Sequence, residues 1–213
     1  MSTSSNKYLG TSGARRPRTH AVWLAGAVLA LAGCASAPEA PPEEIHPPPV
    51  EAMAQFEAAL KAMLAEDYAT AEPMLESLVA TWPDLSGPAL NLGILYSATG
   101  RDPEAEAVFR GLIAEDAHNA VVWSELAIVL RRGGDFPGAD EAYARALELQ
   151  PDYARAWRNR GVLLDLYLQE PEEALMHYER YAELTGGSDQ QVEKWIAELR
   201  MRLGVVESRV AGR

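Results

Sequence analysis

From about residue 50 to residue 203 the apolar side chains recur at helical spacing, and the pattern itself repeats every 34 residues. Ala89, Trp123 and Trp157 share one phase, as do Gly93, Ala127 and Gly161, and Tyr96, Leu130 and Leu164. A bulky residue followed four positions later by a small one, as in Trp123 with Ala127 and Trp157 with Gly161, puts both on one helix face that a second helix can approach closely. A second series, Ala105 with Phe109, Ala139 with Tyr143 and Ala174 with Tyr178, gives the partner helix of each unit a small residue one turn before an aromatic. Pro83 and Pro151 fall at matching positions, where proline stops a helix. The pattern predicts four helical hairpins, at 52–85, 86–119, 120–153 and 154–188, and an apolar-striped capping helix over 189–203 built on Val192, Trp195, Ile196, Leu199 and Leu203. A hairpin of this length cannot bury its own apolar face, so the units must stack into an all-α solenoid of nine helices.

These positions, with the runs Asn91-Leu92-Gly93-Ile94-Leu95-Tyr96, Trp123-Ser124-Glu125-Leu126-Ala127 and Trp157-Arg158-Asn159-Arg160-Gly161, closely resemble the tetratricopeptide repeat, a helix-turn-helix unit of this period. The resemblance implies a protein-binding scaffold that takes a partner segment into a concave groove lined by the first helices. Two units depart from the family pattern. In the first, strict phasing places Gln55, Ala58, Ala59 and Ala62 at the packing positions and turns Met53, Phe56, Leu60 and Met63 outward. Loss of one loop residue instead buries Phe56, Leu60 and Met63, and is the expected register, because exposing that stripe forfeits about 1.5–3 kcal/mol per large side chain. The fourth unit has one extra residue between Leu164 and Ala174, near Tyr167-Leu168-Gln169-Glu170, and carries Arg160 and Tyr181 where leucine and a small residue are usual in the family.

Ahead of the repeats lies a different kind of sequence. Arg15-Arg16-Pro17-Arg18 precedes thirteen apolar or small residues, Ala21 to Gly33, and then Cys34, the only cysteine. The run is shorter than the roughly 20 residues a membrane-spanning helix needs, and suits the core of a signal peptide over 1–33. Leu31-Ala32-Gly33-Cys34 resembles a bacterial lipobox, which implies cleavage before Cys34 and its acylation. A lone thiol with no disulfide partner is consistent with thioether chemistry. Because Ala35 and Ser36 follow where an aspartate would retain an inner-membrane lipoprotein, the resemblance implies the outer membrane, facing the periplasm. The prolines at 38, 41, 42, 47, 48 and 49 make 34–50 an extended linker, and 204–213 reads as a flexible tail. Removing 1–33 takes four basic residues and no acid, so the net charge falls from −12 to −16, with 15 basic against 31 acidic residues. Such a surface repels nucleic acid and anionic headgroups, so the membrane attachment expected is the lipid on Cys34.

No catalytic constellation or metal-ligand spacing is present, and no cofactor or small-molecule substrate is expected. His46, His118 and His177 are far apart and read as solvated or capping histidines. Gly133-Gly134 and Gly186-Gly187 end helices instead of cradling a phosphate. What remains is the groove. The family's groove positions fall on Leu90 and Ile94, on Ser124, Ile128, Arg131 and Arg132, and on Arg155, Arg158 and Val162, so the groove runs from apolar to basic. Five arginines, at 131, 132, 155, 158 and 160, lie within thirty positions and suit an acidic segment of a protein or peptide partner. The competing expectation is that they pair with the chain's own acids, such as Glu125, Asp165 and Glu170. The family's terminal-carboxylate clamp is not expected, since Glu125, Leu90 and Ile94 stand where polar clamp residues would. The function expected is that of a membrane-anchored adaptor, with a permanent, pilotin-like assembly subunit of an outer-membrane complex as the alternative.

Overall fold

The computed structural model describes residues 49–204, and among them the fold is helical throughout, without a strand. Four antiparallel pairs follow one another: α1 (Val50–Leu64) with α2 (Tyr68–Thr81), α3 (Ser86–Ala98) with α4 (Asp102–Glu115), α5 (Ala120–Gly133) with α6 (Phe136–Leu149), and α7 (Ala154–Leu163) with α8 (Pro171–Thr185). The last helix, α9 (Gln190–Arg202), packs on α8. Each first helix of a pair also touches the first helix of the next pair, so α1, α3, α5 and α7 form one continuous face. No helix of the described residues is long and apolar enough to cross a membrane. The predicted signal peptide, Cys34 and most of the proline-rich linker lie outside the described residues, as do 205–213 of the tail.

Local chemistry sets the helix ends. Asp67, Asn119, Asp135 and Asp189 each accept backbone N–H groups of the turn that follows, satisfying donors that a helix start leaves open. Pro103, Pro137 and Pro171 stand in first turns, where the missing N–H costs nothing. Trp123 Nε1 donates to Ala117 O and Trp157 Nε1 to Pro151 O, both at 2.9 Å, so the same tie between units recurs after 34 residues.

The small-to-aromatic series is the core. Phe109, Tyr143 and Tyr178 are all buried, and Phe109 and Tyr178 sit against Gly93 and Gly161 of the preceding helix. A Cβ added at Gly93 would stand 2.6 Å from Phe109 Cε1, and one at Gly161 2.7 Å from the Tyr178 ring. Glycine is therefore demanded at both positions by close approach.

The first unit corrects one expectation. Ala59, Ala71, Leu75 and Leu78 are buried 34 residues ahead of Gly93, Ala105, Phe109 and Leu112, so the strict register holds and no loop residue is missing. The outward stripe is still largely covered, because α3 lies over it. Phe56 packs beside Gly87, Met63 is partly buried against the core and Leu60 is half-buried, while Met53 stays 56% exposed.

The extra residue of the fourth unit is absorbed without breaking the pair. After α7 the backbone widens into a π-helical segment, Leu164–Leu168, the form an inserted residue takes inside a helix. Gln169 then reverses the chain at φ 58°, and Glu170 N–H closes the turn on Leu164 O at 2.9 Å.

Candidate functional site

The first-helix face of α3, α5 and α7 carries the residues singled out above. Leu90, Ile94 and Ile128 are half-buried, resting on the core while leaving an edge to solvent. Val162 does the same on α7. Ser124 departs from expectation: it is fully buried and its Oγ has no hydrogen-bond partner, because so short a side chain does not reach beyond its larger neighbours. It offers no surface to a partner in this conformation.

Four of the five clustered arginines are engaged by the chain's own acids. Arg155 Nη1 meets Glu125 Oε1 at 2.6 Å, joining α7 to α5. Arg132 donates to Ser97 Oγ and to Asp102 of the preceding unit. Arg160 forks onto Asp140 at 2.8 and 3.1 Å, and Arg158 lies 3.6 Å from Asp189 with its guanidinium near the Trp195 ring. The acids are mostly not those expected: Glu125 takes part, but Asp165 binds Arg202 of α9, and Asp102, Asp140 and Asp189 supply the rest. Sequence reasoning missed these because partners 20 to 31 residues apart carry no local signature.

Glu125 is only 3% exposed, and burial raises its carboxyl above the usual range despite the opposing pull of Arg155. Beside it the buried Tyr143 has its phenol pushed up to about 12, again by burial, with Arg131 pulling the other way. The face is thus a mixed surface in which apolar edges alternate with latched ion pairs that tie one unit to the next.

His177 is a second correction. It is 5% exposed instead of solvated, because Arg160 stands where leucine is usual in the family and draws the imidazole inward. Its Nδ1 lies 2.8 Å from Glu173 O and so carries the proton, which leaves Nε2 to accept from Arg160 Nη1 at 3.3 Å, and the ring packs 4.9 Å from Trp157. Burial lowers its basicity, and Arg160 lowers it further, against the Glu173 carbonyl. An unfolded chain therefore takes up this proton more readily than the folded one. The stability contributed is fully present above the ordinary histidine range near 6.5 and is lost as pH falls below it toward the depressed folded value. Replacing His177 by Gln should flatten that part of the acid limb in thermal melts recorded from pH 7 to 5. His118, by contrast, is exposed and bonded to Asp116 in the turn before α5.

Comparison with known proteins bears on this face. Models of the tetratricopeptide repeat match residues 62–128 and 124–189. A 93-residue stretch, 44% of the chain, is 33% identical to Protein FlbA of Caulobacter vibrioides and spans only 15% of that protein. Among solved structures, Pseudomonas aeruginosa pilF superposes with a TM-score of 0.66 at 18% identity, over 72% of this chain and 69% of that one. MamA gives 0.60 at 20% identity, over 69% and 85%. The first TPR of Spaghetti (RPAP3), bound to the HSP90 peptide SRMEEVD, gives 0.52 at 24% identity, over 56% and 93%. At these identities the structures share the fold.

Proposed function

The chain belongs to the tetratricopeptide repeat family of protein-interaction scaffolds, and on that premise we propose that it is a lipid-anchored, non-catalytic adaptor that captures an acidic segment of a partner protein on its first-helix face. The observation that carries the reading is the strip of half-exposed Leu90, Ile94, Ile128 and Val162 beside Arg131, Arg132, Arg155 and Arg158, which crosses three successive units. Apolar edges supply burial, and guanidinium groups set the register of a bound chain. A related fold taking the peptide SRMEEVD, with three acidic side chains, supports a ligand of this kind. The outer sides of the second helices carry exposed ion pairs, Arg110–Glu106, Arg145–Glu148 and Arg180–Glu183. So wet a surface favours capture on the first helices over permanent assembly through the second.

Acylated Cys34 would hold the array at the periplasmic face of the outer membrane, with the proline-rich linker as spacer. Tethering then raises the partner's effective concentration at the membrane, with no bond made or broken. The test is reversal of Arg131 and Arg158 to Glu. Helicity should be retained while the partner recovered by crosslinking from intact envelopes falls by about tenfold or more; undiminished recovery would discard the groove.

A further inference from the structure

The π-helical turn changes what the rim of this face presents. In the second and third units the positions after Tyr96 and Leu130 hold Ala98 and Thr99, then Arg132 and Gly133. The fourth unit puts Leu166 and Tyr167 there, 65% and 42% exposed. These side chains sit on a built support. The Tyr167 ring lies 4.8 Å from Phe136, which itself packs on the core, and the next residue, Leu168, is also packed inward. The Arg131 guanidinium carbon stands 5.6 Å from the Tyr167 centroid, and Nη1 donates to the Tyr167 hydroxyl at 3.5 Å.

Arg131 is also the exception in the arginine cluster. Arg132, Arg155, Arg158 and Arg160 each have a carboxylate of this chain within ion-pair distance, whereas Arg131 has none among the described residues. An exposed leucine and tyrosine, supported from below and beside an arginine that no carboxylate of the described residues claims, have the make-up of an interface anchor.

We propose that the captured segment, on the scaffold reading above, docks at this rim by an acidic residue next to an apolar one, with the carboxylate on Arg131 and the apolar side chain on Leu166 and Tyr167. Charge complementarity selects the occupant: the one cation of the cluster that no acid of the described residues matches lies against the large apolar pair at the insertion. The pairing of leucine with tyrosine is particular to the fourth unit: the second and third units hold Ala98 with Thr99 and the ion-paired Arg132 with Gly133 at the same positions, and the first holds an exposed Leu64 followed by Ala65.

The experiment selects a random peptide library against the full chain in detergent micelles and measures the enriched peptides by fluorescence anisotropy. Enrichment of Asp or Glu beside Leu, Phe or Trp is expected. Arg131→Gln and Leu166→Ser should each weaken those peptides about tenfold, with far-ultraviolet circular dichroism unchanged. Neutralising the peptide acid should cost affinity for the wild type and nothing further for Arg131→Gln. Peptides lacking this motif, or peptides indifferent to both variants but lost with Ile128→Glu and Val162→Glu, would overturn the rim and leave the scaffold standing. A library that yields no binder would sink both readings. Self-association abolished by Leu166→Ser would give the patch to a second copy of the chain and also overturn the proposal.

Discussion

Replacing Phe109 by Ala is expected to lower the unfolding free energy by about 3–5 kcal/mol, read from urea titration by circular dichroism. The ring is fully buried and closes on Gly93. Glycine has no side chain to move into the vacated space, so the site collapses poorly and the cost belongs at the upper end of the range. The pair also predicts a change of sign. In the wild type, Gly93→Ala places a Cβ 2.6 Å from the ring and should destabilise by about 1–3 kcal/mol through overpacking. In the Phe109→Ala background the same methyl meets no ring, and alanine's better helix propensity, worth about 1 kcal/mol, should make it stabilising. A double-mutant cycle that found the two changes additive would show that the aromatic and the glycine are not a single packing unit.

Cys34→Ser is expected to move the protein from the membrane to the soluble periplasmic fraction. On the proposed reading several acyl chains are attached through this residue, and two or more are needed for stable attachment, since a single myristoyl-sized chain binds reversibly with a constant of roughly 10⁴ per molar. The described residues offer no substitute. No helix of the described residues spans a membrane, and the excess of acidic over basic residues repels anionic headgroups. Fractionation of the wild type and the serine variant, read by immunoblot, decides the matter. A variant still in the membrane fraction would overturn the anchor.

How far the site could be read from the sequence differs from residue to residue. Gly93, Gly161 and their aromatic partners were legible because the period of 34 aligns them with Ala59 and Ala127, and helix packing admits only small residues at the point of closest approach. The extra residue before Ala174 was legible as a count, but a count does not say that a π-helical turn will take it up or that Leu166 and Tyr167 will face outward. His177 was misjudged for a similar reason. Its own helix position reads as solvated, and only Arg160 of α7, held by Asp140 of α6, explains its burial.

The repeat, the helices and the small-to-aromatic core were determined by the sequence alone, because they depend on which residue types recur at a fixed spacing along one chain. The tertiary structure decided which arginines are spent on latching one unit to the next and which one is left over. That depends on side chains 20 to 37 residues apart meeting across a helix interface. Many acids lie within such a range of each arginine in sequence, whereas the stacking angle of the units brings only one or two within reach.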